Sequence, residues 1–381
     1  MYSQDDLNSA VAAGAISADA ADALRIHVAA TRDAVPADAE HFRLITGFND
    51  IFVSIGVIIL LVAMAAIGQA LAAAIWPVPQ FDGEYFSNAY FAWAERTAEV
   101  RQVAEMMGIA VGAAFVAGTA WILSEFFTRK RRMALPSIIL LLAFVGGCFA
   151  AFGALIIGTA GEDPSEATIA VLLAVGALLT AGFAFLHWKR FMVPITIAAG
   201  TGALAATAIL LLVAAIGPES DNAGTVILSL VFVAGLIIFA FAMYWDMSDP
   251  RRETRRSDVA FWLHLLAAPM IAHPVFALIG VVDGDNIGIG AAVAVVAVYV
   301  VFGLVALAVD RRALLVSALA YVLIALTFLF REFGAVELNF ALTALVIGSA
   351  LLTLSALWTP IRAAVIRALP GTMTTRLPAT A

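Results

Sequence analysis

The chain has 381 residues, of which 63% are apolar and 13% charged, with a mean hydropathy of +1.00. A soluble domain does not carry that balance, so the bilayer is the solvent. Lipid offers backbone groups no partners, which leaves helices of about 20 residues as the spanning elements, and the continuous apolar runs exclude the alternating strands of a transmembrane barrel.

Residues 1–50 read as a small cytoplasmic helical lobe. Ser3 is placed to cap a first helix through Leu7 and Val11, Gly14 to break it, and Ser17 to cap a second one with Asp19 and Asp22 in its first turns. Pro36 suits the start of a third helix through His41 and Leu44. A unit this short buries too little to stand alone, so it is expected to lean on the bundle or on a cytoplasmic protein partner. No removable secretory signal is expected before the first apolar run.

The pattern Asp6-Leu7, Ala13-Gly14-Ala15-Ile16-Ser17 and Ala20-Ala21, a short helix, Gly-x-Ile-Ser and a second helix ahead of an apolar run, resembles a bacterial family of predicted multi-pass membrane proteins without assigned function. That resemblance implies architecture alone, and carries over no catalytic or binding residue. High alanine content and only two lysines, Lys130 and Lys189, also point to a bacterial source and its inner membrane.

Apolar runs separated by charged or Pro/Gly/Asp breaks predict ten spans, at 51–76, 104–127, 134–158, 167–187, 191–216, 224–245, 259–282, 289–309, 313–331 and 336–358. Eighteen of the 21 basic residues fall on one side, including Arg129-Lys130-Arg131-Arg132, Lys189-Arg190, Arg255-Arg256 and Arg311-Arg312; only Arg96, Arg101 and Arg331 fall on the other. Basic residues resist translocation, so the lobe and the tail 359–381 are both expected in the cytoplasm. The opposite loops carry acids such as Asp82, Glu84, Glu166, Asp283 and Glu337, which fill positions closed to basic residues. Trp188, Trp245, Trp262 and Trp358 fall near basic span ends as headgroup anchors.

The connection 77–104 holds Tyr85, Phe86, Tyr90, Phe91 and Trp93 followed by Glu95, Arg96, Glu99 and Arg101, the mark of an amphipathic helix on the outer leaflet. The starts Arg132-Met133-Ala134-Leu135-Pro136 and Arg190-Phe191-Met192-Val193-Pro194, with Arg312 a looser third, fit parallel hairpin repeats, and equally fit any chain of short-looped hairpins obeying the charge rule.

Chemistry concentrates in the seventh span, which carries His264, Pro269, His273 and Pro274. Each proline removes a backbone donor and displaces the carbonyl four residues earlier, so a broken helix beside His273 near mid-membrane would bind a small cation or polar solute, or relay a proton. The same residues also fit a neutral histidine bonded across helices, with the prolines shaping the bundle. His264 lies nine residues earlier and meets His273 only if the kink rotates the two faces together. Glu125 is expected to pair with Arg129 at i,i+4, His187 to be interfacial, and Gly112–Gly118, Gly176 and Gly200–Gly202 to mark close helix packing.

Phosphate-cradling loops, zinc spacings and nucleophile elbows are absent, and the lone Cys148 builds neither an intrachain disulfide nor a cysteine metal cage. No metal or other cofactor is expected, and no nucleic acid as partner. Three functions remain open: a carrier or channel for a small solute or ion, a non-transporting sensor or scaffold that recruits a partner through residues 1–50, and, more remotely, an enzyme on a lipid-linked substrate using Asp82 and Glu84. The oligomeric state is not fixed by the sequence.

Overall fold

The computed structural model describes residues 10–24, 48–161, 164–217, 222–250, 252, 254–280, 288–333, 338–371 and 377. A long helix α1 (Phe48–Ile75) is followed by the short α2 (Asn88–Arg96) and by α3 (Ala98–Ser124), which runs on into a π-helical turn over Glu125–Lys130. Then come α4 (Ala134–Thr159), α5 (Glu166–Phe191), α6 (Ile195–Ile216), α7 (Ala223–Met247), α8 (Arg255–Leu278), α9 (Ile289–Val309), α10 (Ala313–Glu332), α11 (Asn339–Ala356) and α12 (Trp358–Ala368). All but α2 and α12 are long and apolar enough to cross a bilayer, ten helices in all, and no strand occurs among the described residues. The chain is thus an all-α polytopic membrane protein in contact with lipid.

Differences from the predicted boundaries have local causes. The fifth span starts at Ile195 and not at 191, because Met192 takes a left-handed backbone (φ 52°) that ends α5, and Pro194 restarts the chain as a helix. The seventh span lies four residues earlier at each end, since the Thr254 hydroxyl accepts from Arg256 N at 3.2 Å and caps α8 inside the basic stretch. In the N-terminal lobe, Gly14 has φ +71°, Ala15 N donates back to Ala10 O at 2.9 Å, and the Ser17 hydroxyl accepts from Ala20 N at 3.1 Å. Leu7, Val28, Pro36, His41 and Leu44 lie outside the described residues, as do Asp283 and Asp285.

With lipid as apolar as the side chains, helices associate through close packing and hydrogen bonds more than through expulsion of water. Gly68 of α1 lies against α3 so closely that a Cβ there would stand 2.8 Å from Gly112 Cα and 2.9 Å from Val111 O. Gly235 of α7 meets α8 in the same way, 3.0 Å from the carbonyl carbon of Met270. Several hydroxyls are satisfied inside their own helices: Ser124 donates to Ala120 O at 2.8 Å, Thr180 to Gly176 O at 2.8 Å and Ser54 to Asp50 O at 2.6 Å.

The largest core gathers Ala198 of α6, Ile238 and Ala242 of α7, Leu263, Ala267, Ala268 and Phe276 of α8, Val295 and Phe302 of α9, and Ala318 and Val322 of α10. Helix α8 is the most enclosed of the ten. It passes as one helix through both prolines, and Leu265, Pro269 and His273, at i, i+4 and i+8, form a strip left exposed along it. A second core joins Val57 and Leu61 of α1 to Ala117 and Ala120 of α3 and to Leu140, Phe144 and Cys148 of α4.

The turns between α3 and α4, α5 and α6, α7 and α8, and α9 and α10 share the basic end of the bundle. Each contains a non-glycine residue with a left-handed backbone: Arg132 (φ 53°), Met192 (52°), Arg252 (55°) and Asp310 (60°).

Candidate functional site

The basic end of the C-terminal half holds a cluster of charges on the α7–α8 turn, the α9–α10 turn and α12. Asp246 is the next-to-last residue of α7 and only 1% exposed. Arg311, 5% exposed, follows α9, whose end is closed by left-handed Asp310 and by Arg311 N donating to Ala306 O at 2.9 Å. That closure aims the guanidinium back across the bundle. Arg311 Nη2 donates to Asp246 Oδ1 at 2.6 Å and Nε donates to Oδ2 at 3.2 Å, a two-pronged ion pair; Nη2 also reaches Ser257 O at 3.2 Å.

His264, 3% exposed, stands beside this pair. Its Nδ1 lies 2.8 Å from Ala260 O and 3.7 Å from Asp246 Oδ2. Both neighbours only accept, so Nδ1 carries the hydrogen and donates to the carbonyl. Nε2 is then the lone-pair nitrogen, and it is buried without a hydrogen-bond partner among the described residues. The ring lines a void with Phe239, Ala306, Val309, Arg311, Ala313 and Leu314, too narrow to admit a water molecule.

Asp310 forms the second half of the cluster. Its Oδ2 accepts from Arg252 Nη1 at 2.7 Å, its Oδ1 accepts from Trp358 Nε1 at 2.7 Å, and Arg362 Nε stands 3.6 Å away while donating to Leu307 O at 3.2 Å. Arg312 lies over the Trp358 ring at 4.5 Å. One carboxylate therefore binds α12 and the α7–α8 turn to the end of α9. Burial, then the Arg311 charge, pushes the Arg252 guanidinium below its ordinary pKa, while Asp310 and Asp246 raise it. The α7–α8 turn is closed by Asp249, whose Oδ2 accepts from Thr254 N at 2.9 Å and from its hydroxyl at 2.7 Å.

His273 and His264 are not brought together. His273 is exposed, five residues before the end of α8, and its Nδ1 lies 2.7 Å from the Tyr321 hydroxyl of α10; Tyr321 in turn stacks on Phe276 with ring centres 4.5 Å apart. Pro269 shares the exposed strip with His273, and Pro274 is buried. The expected hinge beside His273 takes the form of an uninterrupted helix, and the buried polar side chains of α8 are Ser257 and His264, of which His264 faces α7.

Two further groups depart from the sequence reading. His187, read as interfacial, is fully buried among Trp121, Phe144 and Phe191, with ring centres at 6.0, 5.3 and 4.5 Å, and Thr196 Oγ1 lies 3.4 Å from its Nδ1. Glu125 pairs with Arg129 at 3.2 Å as expected, and also with Arg190 of α5 at 2.6 Å, which ties the π-helical turn to the neighbouring span. Asp246 was not singled out by sequence. Its signal is an acid one residue inside the end of an apolar run, Trp245-Asp246-Met247, at the end of the bundle where every other turn is basic.

Among the described residues no group of three or more His, Cys, Asp or Glu is placed to hold a metal ion. Compared with known protein families, with curated sequences and with solved structures, the chain matches none.

Proposed function

We propose that the chain is a carrier or channel for a small polar solute or ion, in which the Asp246–Arg311 pair is a charge lock at the basic end. That end, with both termini, is read as cytoplasmic, because basic residues resist translocation. The observation that carries the reading is the pair itself. Two opposite charges, 1% and 5% exposed, are held between α7 and the α9–α10 turn where apolar side chains of the same size would pack at no loss of stability. Ionisable groups buried within a membrane bundle are costly and are associated with ion and solute paths. A pair bridging two helices that separate on opening has two states: joined and dry, or apart and hydrated.

The test is flux. The full chain reconstituted in liposomes is screened against inorganic ions, small acids, amines and neutral solutes, with Asp246→Asn, His264→Ala and His273→Ala beside the unaltered chain. Uptake of one class that Asp246→Asn abolishes or uncouples supports the reading. No flux and no ligand-dependent thermal shift across the panel counts against it, and turns attention to a scaffold role for residues 1–50. Deleting residues 1–45 and comparing co-purifying proteins tests that role.

A further inference from the structure

We infer that His264 is a proton-binding site that works the Asp246–Arg311 lock, so that the proton is a ligand, and as a carrier the coupling ion, of this chain; the inference rests on the lock reading above. Three observations converge on it. The ring donates through Nδ1 to Ala260 O at 2.8 Å, which leaves the Nε2 lone pair free. The void beside the ring is too narrow for a water molecule, so a proton is the ligand it accepts without moving the helices. The carboxylate that would answer the new charge, Asp246, is 3.7 Å from Nδ1 and already held by Arg311.

The consequence follows from counting charge. A proton passing from the aqueous phase to Nε2 turns the imidazole into an imidazolium and breaks no bond of the chain. Asp246 then faces two cations with one negative charge. A dry interior does not tolerate the excess positive charge, and the relief is to admit water and let Arg311 part from Asp246. Loss of the proton from Nε2 restores the pair. Other charges do not answer the imidazolium from the packed helices. Asp246 is the only charged residue of α7, α6 and α9 have none, and Arg331 and Glu332 lie at the far end of α10. Among the described residues the remaining charged groups near this end are the cations Arg252, Arg255, Arg256, Arg312 and Arg362 and the acids Asp249, Asp258 and Asp310. Asp310 is held by Arg252 and Trp358, and Asp249 accepts from Thr254. His187 supplies the contrast: it too is fully buried with an unpartnered Nε2, but its neighbours are aromatic rings and Thr196.

The test reads the void directly. In the full chain with Cys148→Ala, Ala313→Cys places a thiol in the void wall, and its modification rate in lipid nanodiscs by a small neutral thiosulfonate is divided by that of an exposed Ala368→Cys reference at the same pH. The ratio is expected to rise at least tenfold from pH 7.5 to 5.5, to lose that rise in both His264→Gln and His264→Asn, and to keep it in His187→Gln. An identical pH profile with and without His264 overturns the inference. Asp246→Asn and the exchange Asp246→Arg with Arg311→Asp separate the two claims at pH 7.5. If Asp246→Asn raises the ratio and the exchange restores it while His264 has no effect, the lock stands and the proton site falls; if neither pair variant changes the ratio, both fall.

Discussion

Arg311, on the turn after α9, holds Asp246 of α7 with two hydrogen bonds, at 2.6 and 3.2 Å, across 65 residues of sequence. The pair fixes the basic ends of two hairpins against each other.

Breaking this pair from one side leaves a buried charge unanswered. Asp246→Ala or Arg311→Ala is expected to lower unfolding stability by about 3–5 kcal/mol, whereas Asp246→Leu combined with Arg311→Met recovers most of that loss. Denaturant unfolding of these three variants beside the unaltered chain, in one detergent, measures both effects.

Asp310 anchors α12 through Trp358 and the α7–α8 turn through Arg252. Asp310→Ala removes both acceptors and faces a left-handed φ of 60°, so α12 is expected to become sensitive to protease near Leu357. Asp310→Asn tolerates that backbone and keeps an acceptor for Trp358, and is expected to lose about half as much stability, roughly 1 kcal/mol. Limited proteolysis and thermal unfolding distinguish the two.

Helix approach depends on particular glycines, Gly68, Gly112, Gly147 and Gly235 among them, and not on glycine content. Gly68→Ala puts a methyl 2.8 Å from Gly112 Cα, and Gly235→Ala puts one 3.0 Å from Met270; each is expected to cost about 1–3 kcal/mol. Gly118→Ala, with nothing within 4 Å, is expected to be neutral or slightly stabilising because alanine favours helix. Melting temperatures of the three variants check the contrast.

Met192 ends α5 with a φ of 52°, costly for a residue with a Cβ. Met192→Gly is expected to stabilise the chain by about 1 kcal/mol, and Met192→Val to destabilise it by at least as much. The intervals from Arg132 to Met192, Arg252 and Asp310 are 60, 60 and 58 residues. We propose that these turns descend from one repeated hairpin; a similar gain from glycine at Arg132 supports a shared turn geometry, and a loss there counts against it.

Much of the architecture was legible because the solvent dictates it. Runs such as Ile51–Trp76 and Ile289–Val309 can only be spanning helices, and charged or proline breaks mark where they end. The helix break at Met192 was not legible, since nothing local to methionine favours a left-handed backbone; it is imposed by Pro194 and the packing of the α5–α6 hairpin. The site was half legible. Its histidine lies in the helix singled out for chemistry, but the prolines drew attention to His273, whose strip faces outward with Pro269. Asp246 and Arg311 looked like ordinary span-end charges, because a sequence shows that a charge ends a helix and not that its partner reaches over from 65 residues away. His187 was hidden for the same reason: its neighbours Trp188 and Lys189 mark the membrane border, while Trp121 and Phe144, which enclose it, come from other helices.

The most direct measurement is passive proton leak in liposomes loaded with a pH-sensitive dye, because it needs no knowledge of the solute. If Asp246 and Arg311 close a path, the unaltered chain is tight at neutral pH, folded Asp246→Ala and Arg311→Ala chains leak at least tenfold faster, and the exchange of the two residues restores the seal. Folded single variants as tight as the unaltered chain would contradict the account, leaving the pair as a brace between helices and nothing more.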